Sequence, residues 1–410
     1  MEYNVHTLPN GIRLLHVPSA STISHACIIV NSGSRDEPEN KAGLAHFIEH
    51  LIFKRTEKRS TVQILNRLES VGADLNAYTT KEYTCVHASF LNPYLDRTLE
   101  LFNDIIFHST FPADEMEKEK EVVLDEIASY LDQPEEAIND DFEDLLFSGH
   151  PLGNNILGTV KSVKEFTRED VLDFRKKNYL TNEIVVAVIG NYSFKNFVSK
   201  GTKHFIDVAE NSGQRNRKKP DLRTVFNQTI YKPIMQNHCI LGTQSYSTHH
   251  PLKAGLMLLN NHFGGNGMSS VLNLQIREKH GIAYTIESNF SPMSDSGIFS
   301  IYFGTDKEKH QRALNLILKE IQKLRDKPLN EIQLQKAKNK FIGQIALGEE
   351  NRIGLIIAMA KSLIDHNRID SIEEVFEKIN RVNTKEIEQI ANEVLNIEAL
   401  NIFTFAPIEE

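Results

Sequence analysis

The order of secondary-structure signals runs through this chain twice, and that repetition constrains its fold more than any other feature. In residues 11–18, Ile12, Leu14 and His16 alternate after an Asn10-Gly11 turn, and residues 24–31 contain the denser run Ala26-Cys27-Ile28-Ile29-Val30. Such patterns read as half-buried and buried strands. A turn-rich stretch at 32–39 precedes a helix marked by Leu44, Phe47, Ile48, Leu51 and Ile52. A second amphipathic helix covers 61–71, and two strands fill 74–90. Helices follow at 94–107, 113–130, 134–146 and 167–178, then a buried strand at 184–190. Beyond the polar stretch 211–221 the programme restarts. Strand signals at 229–246 lead to a helix at 254–262, a glycine-rich turn, a helix at 268–279, and strands at 283–290 and 297–305. Helices then cover 307–325, 329–347, 352–366 and 372–379. Both halves close on a Thr-led helix, at Thr167 and Thr384, followed by an apolar strand. The 410 residues are too many for one hydrophobic core. The expectation is an α+β fold of two similar domains, 1–213 and 222–410, each an antiparallel-rich sheet with helices packed on one face.

Charge excludes some functions. A formal net charge of −9 gives no concentrated basic face for a phosphate backbone, so no nucleic-acid partner is expected. The one dense basic run, Arg215-Asn216-Arg217-Lys218-Lys219, reads as a solvated linker. Cys27, Cys85 and Cys239 sit in separate apolar stretches without metal spacing, as buried free thiols of a reducing compartment do. The first residues carry neither a basic segment nor an apolar one, and no run approaches the roughly 18 apolar residues of a membrane span. The expected location is the cytoplasm, with no membrane span.

The strongest chemical signal is His46-Phe47-Ile48-Glu49-His50. At about 100° per residue, positions 46, 49 and 50 share one sector of a helix. Two imidazoles one turn apart can hold the same tetrahedral zinc, and a carboxylate beside them can serve as base toward water that the metal activates. The order is the reverse of the commoner H-E-x-x-H. A third ligand comes from the helix at 115–130, whose apolar stripe contains Val122, Val123, Ile127 and Tyr130. Glu119 and Glu126 lie on the edge of that stripe, where a carboxylate is costly unless it is paired or bound to a metal. Glu126 is the natural third ligand. Glu119 reads equally as a group orienting a ligating histidine or as an ordinary surface acid. His249 and His250 precede Pro251 in a loop, and His87 and His238 lie in strands; none has ligand spacing.

With these residues the chain resembles the pitrilysin and insulinase family of inverted-motif zinc metallopeptidases, over nearly its whole length. Glu119 and Glu126 match the family's E-x6-E pair. Asn76-Ala77-Tyr78-Thr79 resembles its edge strand that receives the substrate backbone. Gly264-Gly265-Asn266-Gly267-Met268-Ser269-Ser270, leading to Arg277 and Tyr284, resembles its glycine-rich stretch with an Arg and a Tyr that complete the active site. Read alone, the glycine-rich turn lacks the Gly-Lys-Ser/Thr ending of a phosphate loop and is a plain helix–helix turn. Arg277 and Tyr284 alone are a helix-surface Arg and a strand Tyr. Val271 stands where relatives often have Arg, and Asn266 interrupts the glycines.

The resemblance implies a zinc metalloendopeptidase with one zinc per chain. His46, His50 and Glu126 would hold the metal, Glu49 would act as base, Arg277 and Tyr284 would donate to the substrate carbonyl, and Asn76, Ala77, Tyr78 and Thr79 would bind extended peptide. Full-length relatives join four such domains, so a homodimer with Arg277 and Tyr284 acting in trans is expected, a different partner subunit being the alternative. The competing reading is a non-catalytic scaffold or processing-complex subunit of the same fold.

Overall fold

The computed structural model describes residues 2–221 and 224–408. Positions 1, 222 and 410, which bound the two domains expected from sequence, lie outside the described residues. The first half runs β1 (Asn4–Thr7), β2 (Arg13–Pro18), β3 (Ile23–Val30), α1 (Leu44–Leu51), α2 (Thr61–Glu69), β4 (Asp74–Thr79), β5 (Thr84–Leu91), α3 (Leu95–Phe107), α4 (Ala113–Leu131), α5 (Pro134–Leu146), α6 (Val160–Lys164), α7 (Arg168–Asn178), β6 (Ile184–Gly190) and α8 (Phe194–Phe205). The second runs β7 (Asn227–Lys232), β8 (Asn237–Gln244), α9 (Lys253–Phe263), β9 (Ala283–Pro292), β10 (Gly297–Thr305), α10 (His310–Asp326), α11 (Glu331–Gly348), α12 (Arg352–His366), α13 (Ile372–Arg381), α14 (Thr384–Val394) and β11 (Asn401–Pro407).

Two sheets result, ordered β1-β2-β6-β3-β5-β4 and β7-β11-β8-β10-β9. Leaving out β1, the two orders are the same strand for strand. Each sheet has one parallel pair, β2 with β6 and β7 with β11, and is otherwise antiparallel. The strand pattern at 229–246 is thus two strands, and β1, α6 and α8 are elements without a counterpart in the sequence reading. Where a helix was expected over 268–279, a π-helical turn spans Asn273–Glu278. Its backbone bonds reach five residues, as from Lys279 N to Leu274 O.

The chain divides into two compact units. The first is residues 1–128, 154–218 and 348–371; the second is 129–153, 219–347 and 372–410. In the first unit one sheet face, with Ala26, Ile28, Val86 and Val186, packs on Phe47 and Ile48 of α1, Phe102 of α3 and Val123 of α4. The other face, with Val17, Cys27, Ile29, Val185 and Ala187, packs on Ile356, Met359, Ala360 and Leu363 of α12. The second unit repeats the plan. Leu241, Phe299 and Phe303 meet α9, α10 and α14, while Ile240, Ile298 and Phe405 meet Ile138 and Phe142 of α5.

The helix layer is therefore the expected one, and a single helix adds cover to the opposite face. That helix comes from the other half of the sequence in each unit. Burying a large apolar side chain there contributes about 1.5–3 kcal/mol. Burial on both faces also explains why β6, all seven residues buried, reads Ile-Val-Val-Ala-Val-Ile-Gly without alternation. All three cysteines are free and buried.

The basic run at 215–219 is solvated only in part: Asn216, Lys218 and Lys219 are exposed, but the two arginines are not. Arg215 and Arg217 have side chains only 10% and 9% exposed, and both pair with Asp36. A guanidinium that enters a crevice with its own carboxylate reads in sequence the same as one in water.

Candidate metal centre

Helix α1 is short, and eight residues in isolation would hardly hold a helix. Two features fix it. Leu44, Phe47, Ile48 and Leu51 are buried in the core of the first unit. At the N-terminus, the Glu37 carboxylate accepts the backbone N–H of Gly43 at 2.9 Å and of Ala45 at 2.8 Å. Gly43 enters the helix at φ 92°, and a Cβ there would lie 2.5 Å from the Leu157 carbonyl oxygen, so only glycine fits. The edge of α1 left over carries His46, Glu49 and His50, with the two imidazole centroids 4.5 Å apart.

Helix α4 supplies the carboxylates. Glu126 Oε2 lies 3.7 Å from His46 Nε2 and 3.5 Å from His50 Nε2. His46, His50 and Glu126 each offer one ligand atom, all within 4.8 Å of one another, the one such group among the described residues. These two separations are longer than good hydrogen bonds. Ligands at the 2.0–2.2 Å of zinc–nitrogen and zinc–oxygen bonds would sit about 3.3–3.6 Å apart on a tetrahedron. The donor set fits that ion in type and spacing. Glu126 is 43% exposed, which leaves the centre open on one side. The apolar stripe of α4 is Met116, Val123 and Ile127; Val122, expected in it, is 48% exposed.

Glu119 is 3% exposed, not a surface acid. One oxygen bonds His50 Nδ1 at 2.8 Å and the other pairs with Lys54 at 2.6 Å. Holding Nδ1 turns Nε2 toward Glu126 and fixes the ring. His46 lacks such a partner, since its Nδ1 is buried without a hydrogen bond.

The two histidines titrate in opposite directions. Burial, then the charge of His50, pulls His46 down to about 3, so it stays neutral at neutral pH and able to ligate. Burial also opposes charge on His50, but the Glu119 hydrogen bond and the carboxylates of Glu49, Glu119 and Glu126 outweigh it and raise the value. Glu49 is 9% exposed, and burial raises its carboxyl against the opposing charge of His50 and a 3.2 Å hydrogen bond from Thr79 Oγ1. A carboxyl so placed can take up a proton and release it again.

Thr79 ends β4, the edge strand of the first sheet. Ala77 packs with the core behind α1 and Tyr78 with the core under α12, as alternation requires. Asn76 Oδ1 accepts the Ala77 N–H at 2.8 Å. β4 thus adjoins the helix that carries the histidines, and Thr79 bonds to Glu49 on it. Arg277 and Tyr284 belong to the second unit. Arg277 is exposed in the π-helical turn, and Tyr284 is 56% exposed with its hydroxyl 3.1 Å from Asp306. Sequence reasoning missed Lys54 and Glu37. Lys54, one turn beyond His50, could have been found by its spacing; Glu37 sits in a turn-rich stretch with no periodicity to flag it.

A two-unit α+β frame with one His-His-Glu group on facing helices defines the class. Comparison with known proteins places it more closely. The domain described as Insulinase (Peptidase family M16) matches residues 14–160, and the one described as Peptidase M16 inactive domain matches 165–341. An uncharacterized zinc protease of Mycobacterium leprae is 31% identical over 400 residues, covering 95% of this chain and 88% of that protein. The uncharacterized zinc protease YmxG of Bacillus subtilis is 30% identical over 390 residues, covering 95% of each chain. The crystal structure of a protease from Helicobacter pylori matches at TM-score 0.90 and 22% identity, over 99% of both chains. A peptidase M16 inactive domain from Pseudomonas fluorescens matches at TM-score 0.92 and 20% identity, over 100% of this chain and 98% of that one. The chain belongs to the insulinase family of peptidases, peptidase family M16.

Proposed function

We propose that this protein is a zinc-dependent metalloendopeptidase that hydrolyses peptide bonds in peptides or unfolded segments. The observation that carries the reading is the convergence of His46, His50 and Glu126 beside a buried Glu49 on the same helix. The name zinc protease carried by relatives about 31% identical supports it.

His46, His50 and Glu126 would hold one zinc ion per chain. When bound, zinc supplies Lewis acidity toward a carbonyl and makes water nucleophilic near neutral pH. Glu49 takes the proton of the attacking water and returns it to the leaving amine, a return that its raised pKa favours. Thr79 aims the Glu49 carboxylate through its hydroxyl, and Glu119, braced by Lys54, keeps the His50 ring in line. The edge of β4 at Asn76, Ala77, Tyr78 and Thr79 receives an extended peptide by strand addition, which selects unfolded segments. Arg277 and Tyr284 donate to the substrate carbonyl, and a second copy of the chain supplies them in a homodimer. Both are exposed, as residues offered to another chain must be. Among the described residues no helix is long and apolar enough to cross a membrane.

The test is cleavage of a quenched peptide library by the zinc-loaded and chelator-treated protein. Cleavage that stops with chelator and returns with zinc is expected. Full zinc occupancy with no cleavage of any peptide would contradict the reading and favour the non-catalytic scaffold.

A further inference from the structure

The second of the three stretches that make up the first unit ends at residue 218, and the segment leading to that point is locked into the unit. Arg217 grips Asp36 with two bonds, Nε to Oδ1 at 3.0 Å and Nη2 to Oδ2 at 2.7 Å. Arg215 reaches the same carboxylate at 3.3 Å. Arg217 Nη2 also donates to the Glu82 carbonyl at 2.7 Å, and Arg35 joins the Glu82 carboxylate at 2.7 Å to the Lys218 carbonyl at 2.5 Å. The side chains of Arg35, Asp36, Glu82 and Arg217 are all less than 10% exposed. This is a connected set of charge-assisted bonds, and a guanidinium held in a fork is the geometry that Lys cannot copy.

What the set touches gives it a role. Asp36 is followed by Glu37, whose carboxylate holds the first N–H groups of α1, the helix of His46, Glu49 and His50. Two residues before Arg35, Gly33 approaches the β4–β5 turn so closely that a Cβ would meet the Thr80 oxygen at 2.2 Å. Ser34 N and Arg35 N donate to the carbonyls of Thr80 and Lys81 at 3.1 and 2.8 Å. The neighbouring Thr79 bonds Glu49. Residues 33–37 therefore lie between the anchored linker on one side and both α1 and the end of β4 on the other.

We infer that Arg217 is a positioning residue: through Asp36 it fixes residues 33–37, and through them the placement of α1 against the substrate strand β4. Its consequence for catalysis rests on the peptidase reading above; its mechanical part does not. The linker is part of the frame of the site, although Arg217 touches neither the metal ligands nor β4 itself.

Arg217→Lys keeps the charge and loses the fork, and Asp36→Asn keeps the shape and loses the charge. Each is compared with wild type by amide hydrogen exchange and by steady-state kinetics normalised to bound zinc. Faster exchange is expected in 33–51 and 79–83, with β6 (Ile184–Gly190) unchanged. The kinetics should show kcat/KM per zinc at least about 10-fold lower, in line with the cost of small misplacements. The loss in the double variant should be smaller than the sum of the two single losses, because both weaken the Arg217–Asp36 link, although Arg217 also bonds the Glu82 carbonyl and Asp36 also pairs with Arg215. Exchange that is unchanged in those segments, or faster throughout the unit, would overturn the inference and leave Arg217 a merely stabilising residue. Local loosening in a protein whose wild type cleaves no peptide would uphold the mechanical link and sink the peptidase reading instead.

Discussion

His46 and His50 stand one turn apart on one helix, yet their surroundings drive them in opposite directions. The sign of each contribution to stability follows from its shift. An unfolded histidine titrates near 6.5. His46, held down to about 3 by burial, gives stability that is complete above about 6.5 and is lost as pH falls toward 3. His50, raised by Glu119 and its acidic neighbours against the opposing effect of burial, contributes below about 6.5 and loses that contribution as pH rises through its folded value. Of these two histidines, only His46 still contributes a slope below about pH 6. The metal-free protein should therefore lose thermal stability between pH 6 and 4, and His46→Gln should flatten that loss. Thermal melts of both metal-free proteins across this range measure it, and equal slopes would contradict the assignment. The histidines and Glu126 were legible as a set because helical periodicity puts side chains on one face. The neutrality of His46 was not, because burial depends on helices from distant sequence.

At the scale of elements, α1 shows how a short helix is made to hold a site. Its apolar edge is in the core, and its N-terminus rests on Glu37 rather than on a residue of its own turn. Glu37→Ala would leave two buried N–H groups without acceptors, at a cost of about 1–3 kcal/mol. Denaturant melts of the metal-free protein should show that loss, and zinc titration should show weaker binding. A variant as stable as wild type would mean the helix is capped by other means. Most strands and helices were readable from period alone, including α5 and α12 with their ends matched to the residue. Their destinations were not. Periodicity marks Ile138 and Phe142, or Ile356 and Leu363, as a face to be buried, but it does not name the sheet that buries it. The same limit hid the linker anchors, since a buried Arg217 and a solvated one are spelled alike.

At the scale of the whole molecule, the His-His-Glu centre belongs to one compact unit and Arg277 and Tyr284 to the other. The proposed homodimer assigns these two sets to different copies of the chain at each site. Mixing inactive Glu49→Gln protein with inactive Tyr284→Phe protein should restore part of the activity, because a mixed dimer regains one intact site. Exchange of subunits without recovery would contradict the trans arrangement. The doubled plan was legible from the repeated order of elements. The pairing of copies has no comparable sequence signal, because an exposed Tyr284 reads the same whether or not another chain meets it.

In the proposed site three residues hold the metal and a fourth moves the proton. Glu49→Gln separates these roles, since an amide can occupy the same space but cannot accept the proton. Zinc content and peptide turnover measured on the same preparation provide the test. The expected result is one zinc per chain and a loss of turnover of at least about 100-fold. Turnover close to wild type with the metal retained would contradict it.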